Sequence, residues 1–341
     1  YTTKYCLLVV FAFTAKIEYM SCNTTLLTDK QIHEEIRMSQ NKGMIAVFGA
    51  TGAQGGPVVR ALQRAGRPVR AIARTEAHLQ PLVSAQVDVA VADLADFESV
   101  KHALEGVSGA FVHLPFIPVG EVVEAYARNV VRALSAAQVP LTVFTLSGPA
   151  PTSPTGIASF DSKAVAAQVF QRADVPVIMF QPVGYLANLS DHFSAPNVVK
   201  YHELRYALPA EHRQPWISVE DQAALTVAAL ERPDLAGRTF RIGEQLTGHE
   251  LAAGISEGVG HSIRYVAYHP QMFWGALTPM MDEQIVKSLV DDYEMLGSRP
   301  ASLNLDADTQ AIRHELGLPA TALANWARAQ NWEEMAAPSN T

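Results

Sequence analysis

The chain has 341 residues, 48% hydrophobic and 18% charged, which suffices for one large domain or a main domain with an appendage. Its net charge of -8 excludes the broad basic surface that nucleic-acid binding needs to neutralise phosphates, and no Lys/Arg-rich run reads as a membrane-surface patch. Both cysteines, Cys6 and Cys22, lie in the first 37 residues, so the body offers no disulfide, thiolate or Cys–zinc chemistry.

Those first 37 residues are rich in Tyr, Lys, Thr and Phe, whereas Ala, Val, Gly, Arg and Pro dominate after Met44. The apolar run at 6–15 behind Lys4 suits a secretory signal. It is too short to span a bilayer, which takes about 20 apolar residues. The competing reading starts translation at Met38: Glu34-Glu35-Ile36-Arg37 could be encoded by a purine-rich stretch resembling a bacterial ribosome-binding site. We adopt the second reading, in which residues 1–37 are leader or read-through sequence without fixed structure and the protein is cytoplasmic.

From Met44 short β-branched runs alternate with longer helical stretches, the signature of βαβ units around a parallel sheet. The pattern predicts a strand over 44–48, a glycine-rich turn over 49–56, and a helix over 57–65 stopped by Gly66. Pro57 suits a first turn, where its missing N–H has no intrahelical partner. Further strands are predicted at 69–73, 87–92, 110–114, 141–146 and 177–181. Helices are predicted at 97–104 (capped by Asp96, stopped by Gly106), at 122–137 and at 160–173. Six strands so connected imply a doubly wound sheet ordered 3-2-1-4-5-6, with ligands beyond the strands' carboxyl ends at the switch between the first and fourth.

After Gln181 the regularity fades. Residues 182–212 read as loop-rich, with Pro182, Pro196 and Pro209, residues 219–230 as an amphipathic helix entered through Ser218, and 239–242 as a short strand. The remainder reads as helices separated by Gly and Pro. The expectation is an α/β protein with a doubly wound Rossmann domain over 38–185 and a smaller mixed α/β domain over 186–341. Part of the latter, about 216–245, is expected to return and pack on the first.

The strongest motif is Gly49-Ala50-Thr51-Gly52-Ala53-Gln54-Gly55-Gly56, between the first strand and the first helix. Glycines three apart there supply positive φ and let the backbone approach a pyrophosphate, towards which the helix turns its positive end. A plain strand–helix turn is the alternative, but the place at the head of a βαβ series favours a dinucleotide. Arg74 follows the second strand, nineteen positions after Gly55, where an NAD site usually carries an acid for the ribose 2′-hydroxyl. An arginine fork suits a 2′-phosphate instead, so NADP(H) is the expected cofactor, unless Arg74 is only a solvated surface residue. Arg70 is a weaker candidate on the same strand. Asp93 and Leu94 end the third strand, where the carboxylate can take the adenine amino group or simply cap the next helix. Leu114 and Pro115 end the fourth and should border the middle of the cofactor; His113 before them reads as satisfied core.

These residues resemble the NmrA-like branch of the atypical short-chain dehydrogenase/reductase superfamily. The likeness runs from the glycine turn through Val69-Arg-Ala-Ile-Ala-Arg74 and Ala92-Asp93-Leu94 to Lys163, Gln181-Pro-Val-Gly-Tyr-Leu-Ala-Asn188 and Trp216-Ile-Ser-Val-Glu-Asp221. The resemblance implies that Gly49, Thr51, Gly52, Ala53, Gln54 and Gly55 cradle the pyrophosphate. It gives Arg74 the 2′-phosphate, Asp93 and Leu94 the adenine, and Lys163 the nicotinamide ribose; a solvent-facing lysine is the alternative. The superfamily's tyrosine four residues before that lysine is here Ser159. A serine hydroxyl titrates far above a phenol and does not readily serve as general acid. Tyr185 is the nearby phenol considered as a substitute, with packing between the domains as its alternative role.

Other features carry less. His192, His202 and His212 stand ten apart without i/i+4 pairing, so no metal site is expected. Ser147-Gly148 lacks the partners of a hydrolase nucleophile. Trp216 and Phe273-Trp274 should pack in the smaller domain, although Phe273 could line a flat aromatic pocket. The expected activity is NADPH-dependent hydride transfer to a small-molecule acceptor, a quinone or similar conjugated carbonyl, with no membrane or nucleic-acid partner. The rival reading is a non-catalytic redox sensor that passes the dinucleotide's state to a partner protein.

Overall fold

In the structure, a computed structural model that describes residues 43–191, 194–278 and 282–337, the apolar runs after Met44 pair as a parallel sheet. Residues 1–37 with Cys6 and Cys22, His192, and the Phe273 side chain lie outside the described residues. The strands are β1 (Ile45–Phe48), β2 (Val69–Ala73), β3 (Val87–Val91), β4 (Gly109–His113), β5 (Thr142–Thr145) and β6 (Val177–Gln181), in the expected order 3-2-1-4-5-6. A seventh strand, Thr239–Arg241, adds in parallel to β6, with Phe240 opposite Phe180. The short 239–242 run thus joins the main sheet and covers an edge that β6 would otherwise present unpaired.

Because side chains alternate along a strand, each face of the sheet has its own core. Ile45, Val47, Phe111 and Phe180 point to one face, where α1 (Gly55–Arg64) and the helix Val219–Ala229 pack with Val58, Leu62, Ala223 and Leu225. Ala46, Phe48, Val112 and Met179 point to the other. That face is covered by α2 (Phe97–Ala103), α3 (Gly120–Ala136) and α4 (Ala158–Gln171). Phe144 of β5 stacks on Phe170 of α4 with centroids 3.8 Å apart. Apolar residues on both faces explain why these strands read as continuous hydrophobic runs.

Two departures from the sequence reading have local causes. Helix α1 begins at Gly55 rather than at Pro57, which sits inside the first turn, where N–H groups have no intrahelical partner in any case. Residues 182–212, expected to be loop-rich, contain the strand Gly184–Tyr185, the helix Ala195–Tyr201 and the strand Glu203–Tyr206. Pro196 opens that helix instead of breaking it, since proline suits the first helical positions. Gly184–Tyr185 and Glu244–Leu246 flank Gln214–Ile217 in a three-stranded sheet, and Glu203–Tyr206 pairs with Arg264–Ala267. A third apolar cluster joins Trp216, Leu251, Trp326 and Trp332. No helix among the described residues is long and apolar enough to cross a membrane.

The C-terminal part is fastened by a buried ion pair. Arg313 donates to Asp221 Oδ2 at 2.8 Å, and its Nε lies 3.1 Å from Glu244 Oε1. Thr321 adds its amide and hydroxyl to the same Asp221 carboxylate, at 3.0 and 2.6 Å. Asp221→Ala leaves the buried Arg313 with Glu244 as its remaining counter-ion and Thr321 without its acceptor. A loss of about 1–3 kcal/mol is expected in urea unfolding, and a loss near zero would show the pair to be dispensable.

Candidate functional site

The glycine turn is built by close backbone approach. Gly49 takes φ +61°, and a Cβ there would overlap the His113 imidazole. A Cβ on Gly55 would lie 2.6 Å from the Gly49 carbonyl carbon, so α1 starts in contact with the end of β1. The Ala50 amide donates to Ile72 O at 3.2 Å, and Gly52 and Gly56 close successive turns onto Gly49 O and Gly52 O at 2.9 Å. Thr51, Gly52 and Ala53 are exposed at the tip. Gln54 makes no side-chain cap bond and the first turn of α1 holds no acidic residue. The amides of that turn thus keep their positive end open to an anion. Asp96, Ser218 and Thr247 cap their helices with a side chain, whereas α3 and α4, like α1, carry no side-chain cap bond.

Arg74, just beyond β2, is exposed, with no hydrogen bond or ion pair among the described residues. Arg70 is already engaged: it bonds Asp88 at 2.9 Å and the carbonyls of Ala103 and Glu105 at 3.3 and 2.8 Å. Asp93 is exposed and uses Oδ1 to accept the Ala95 amide at 2.9 Å, while Asp96 performs the capping of α2. The Leu94 side chain packs into the second core, and its carbonyl accepts from Asn129 at 2.9 Å.

On the other side of β1 the ends of β4 and β5 meet α4 around a small cavity of about 30 Å³. Leu114, Pro115, Thr145, Ser147, Ser159 and Lys163 are among its walls, which brings three of the sequence candidates together. Lys163 is only 9% exposed. Its Nζ lies 3.5 Å from Asp292 Oδ2, 4.6 Å from the centre of the Phe160 ring and 5.6 Å from that of Phe116. Burial pushes the Lys163 ammonium below its ordinary range, and the Asp292 carboxylate opposes that shift. Ser159, at the tyrosine's position, donates to Asp292.

Asp292 escaped the sequence reading. It sits on α5 (Glu283–Ser298), where Ser288, Asp292 and Leu296 follow at four-residue spacing on a buried stripe. Polar residues in register with buried Leu296 were the available signal. Tyr185 does not line the cavity; its hydroxyl donates to Gln222 at 2.7 Å, and Gln222 reaches Gln54 of the glycine turn at 3.5 Å. Burial pushes the Tyr185 phenol far above its usual range. His113 is not the satisfied core residue expected: its Nε2 is buried without a partner among the described residues, against Gly49. Among the described residues no group of His, Cys, Asp or Glu is placed to hold a metal ion.

A doubly wound sheet with an open glycine turn at its switch point defines a Rossmann-type protein. The model of the NmrA-like family matches residues 41–327, and the chain belongs to that family. It is 30% identical over 289 residues to an NAD(P)H azoreductase of Xenophilus azovorans, spanning 84% of this chain and 97% of that protein. Its fold is similar to that of the Citrobacter sp. triphenylmethane reductase complexed with NADP(H), with TM-score 0.69 and 18% identity over 83% of this chain and 99% of the other. It is also similar to an NADPH-dependent quinone oxidoreductase of Escherichia coli complexed with NADPH, with TM-score 0.67 and 23% identity over 83% and 98% of the two chains.

The tight turn makes a separable prediction. Gly49 and Gly106 both hold positive φ, at +61° and +72°, but a Cβ at Gly106 meets nothing. Both alanine variants bear backbone strain of about 1–2 kcal/mol. Gly49→Ala should lose about 1–3 kcal/mol more in urea unfolding, because it must also displace His113. Equal losses would mean that His113 yields without cost.

Proposed function

We propose that this chain binds NADP(H) across the carboxyl edge of the sheet and reduces a flat conjugated acceptor, a quinone or an azo compound. The observation that carries this reading is the pairing of an uncapped glycine turn with an exposed Arg74 that has no partner among the described residues. Gly49, Thr51, Gly52, Ala53, Gln54 and Gly55 would hold the pyrophosphate, Arg74 the 2′-phosphate, and Asp93 with Leu94 the adenine end. Leu114 and Pro115 would border the middle of the cofactor, and Lys163 its reactive end. The bound nicotinamide supplies a hydride.

The protein's own part is to hold, orient and protonate. A buried ammonium at the Lys163 position stabilises negative charge developing on the acceptor, and in a desolvated site that interaction is stronger than in water. The proton that completes reduction comes from Lys163 Nζ or from water. Tyr185, with its phenol pushed up and its hydroxyl on Gln222, is placed to steady Gln54 rather than to release a proton. Residues beyond 185 would form the acceptor side of the cleft. The reductase names of the relatives support catalysis over a sensor role; Ser159 in place of a tyrosine is the feature that speaks for the sensor.

NADPH consumption, followed by absorbance with a quinone and azo-dye panel, tests the activity. Acceptor-dependent loss that collapses in Gly52→Asp is expected, whereas no loss from protein saturated with NADPH would turn the assignment to the sensor. Cofactor choice has its own test. Arg74→Ala should weaken NADPH binding about ten- to a hundredfold and leave NADH nearly unchanged, as removal of a charge-assisted contact predicts. An unchanged ratio would refute the 2′-phosphate assignment.

A further inference from the structure

The carboxylate that meets Lys163 comes from α5, behind the cavity wall formed by Ser159 and Lys163. Asp292 is itself buried, 8% exposed, and its carboxylate is shared by the Ser159 hydroxyl and the Lys163 ammonium. From α4 come Phe160 and Ser159, from the segment after β4 the Phe116 ring, and from the turn after β5 Gly148, whose Cα side faces the lysine stem. The charged groups bearing on this pair are Asp292 on Lys163, and Lys163 with neighbouring Asp291 on Asp292. One carboxylate and two aromatic rings therefore hold this ammonium.

Physical chemistry makes the carboxylate consequential. An ammonium taken out of water sheds its proton unless a counter-ion stays beside it. Two ring faces attract a cation but do not replace a full negative charge. We propose that Asp292 is a positioning residue, which keeps Lys163 charged and fixed at the cavity wall and is itself held by Ser159. This rests on the assignment of Lys163 to the reactive end of the cofactor. Burial works against both partners: it pushes Lys163 down and Asp292 up, and each counteracts the other's shift. The pair is thus the condition for either charge. The link spans 129 positions and joins α4 to the C-terminal part of the chain at the site itself.

The test uses the full chain without nucleotide. Lysine 13Cε resonances are followed against pH, and that of Lys163 is identified by its loss in Lys163→Arg. Asp292→Asn should lower the Lys163 midpoint by about one pH unit or more, a tenfold loss of proton affinity, while Asp292→Glu keeps it near wild type. Asp292→Ser gives the same reading if Asn impairs folding. A midpoint that does not move in the uncharged variants overturns the proposal. In turnover, the pH at which kcat declines on the alkaline side should fall by about one unit in Asp292→Asn and return in Asp292→Glu. An unchanged pH profile also overturns it. If the midpoint moves but wild type consumes no NADPH with any acceptor, the positioning pair stands and the proposed activity falls. The converse result leaves the activity standing and removes Asp292 from it.

Discussion

Gly55 has no room for a side chain, because the carbonyl of Gly49 already occupies the space where one would begin. That contact lets α1 leave β1 at once and still lie on the sheet. The same turn is tied sideways through the Ala50 amide to β2, and His113 of β4 rests on Gly49. Three neighbouring strands, β2, β1 and β4, are thereby held to one point, and it is the point where the winding of the sheet reverses. A cleft opens there because helices depart to opposite faces on its two sides. The other site elements take their places from this geometry.

The two sides of the cleft differ in solvent access, and the difference sorts their chemistry. Around Arg74, Asp93 and the tip of the turn, side chains are exposed and their charges are eased by water. Around Lys163, itself 9% exposed, Leu114 and Phe160 are buried, and Pro115 and Phe116 are exposed at the rim. Electrostatic interactions weaken in the first environment and strengthen in the second. Recognition of a solvated, anionic end suits the open side, and stabilisation of transient charge suits the closed one. The Tyr185–Gln222–Gln54 chain links the outer layers to the turn without entering the cavity.

Much of this was legible in the sequence because it is local. Each central strand is a contiguous apolar run, and the glycine turn and Arg74 follow from spacing along one βαβ unit. Arg70 and Arg74 were both in view, but only the structure shows Arg70 already spent on Asp88 and two carbonyls. Pro196 looked like a loop marker because a proline opening a helix and one in a loop share the same letter. The seventh strand is three residues long, and such a run says nothing about which edge it joins. Asp292 was out of reach because it meets Lys163 only through the fold; its one local trace is the polar spacing along α5. His113 was misjudged since burial without a partner is a property of the packed turn, not of the strand pattern.

The seventh strand has a bearing on how the protein is made. Val177–Gln181 is a dense apolar run, and the residues that close its edge, Thr239–Arg241, are translated only after the whole intervening stretch has been made. Until then the nascent sheet shows an unpaired β6 edge, of the kind that templates association between chains. A chain interrupted between the two would bear the glycine turn complete and the sheet unfinished. The three residues 239–241 thus bear on solubility during synthesis, independent of anything that happens in the cleft.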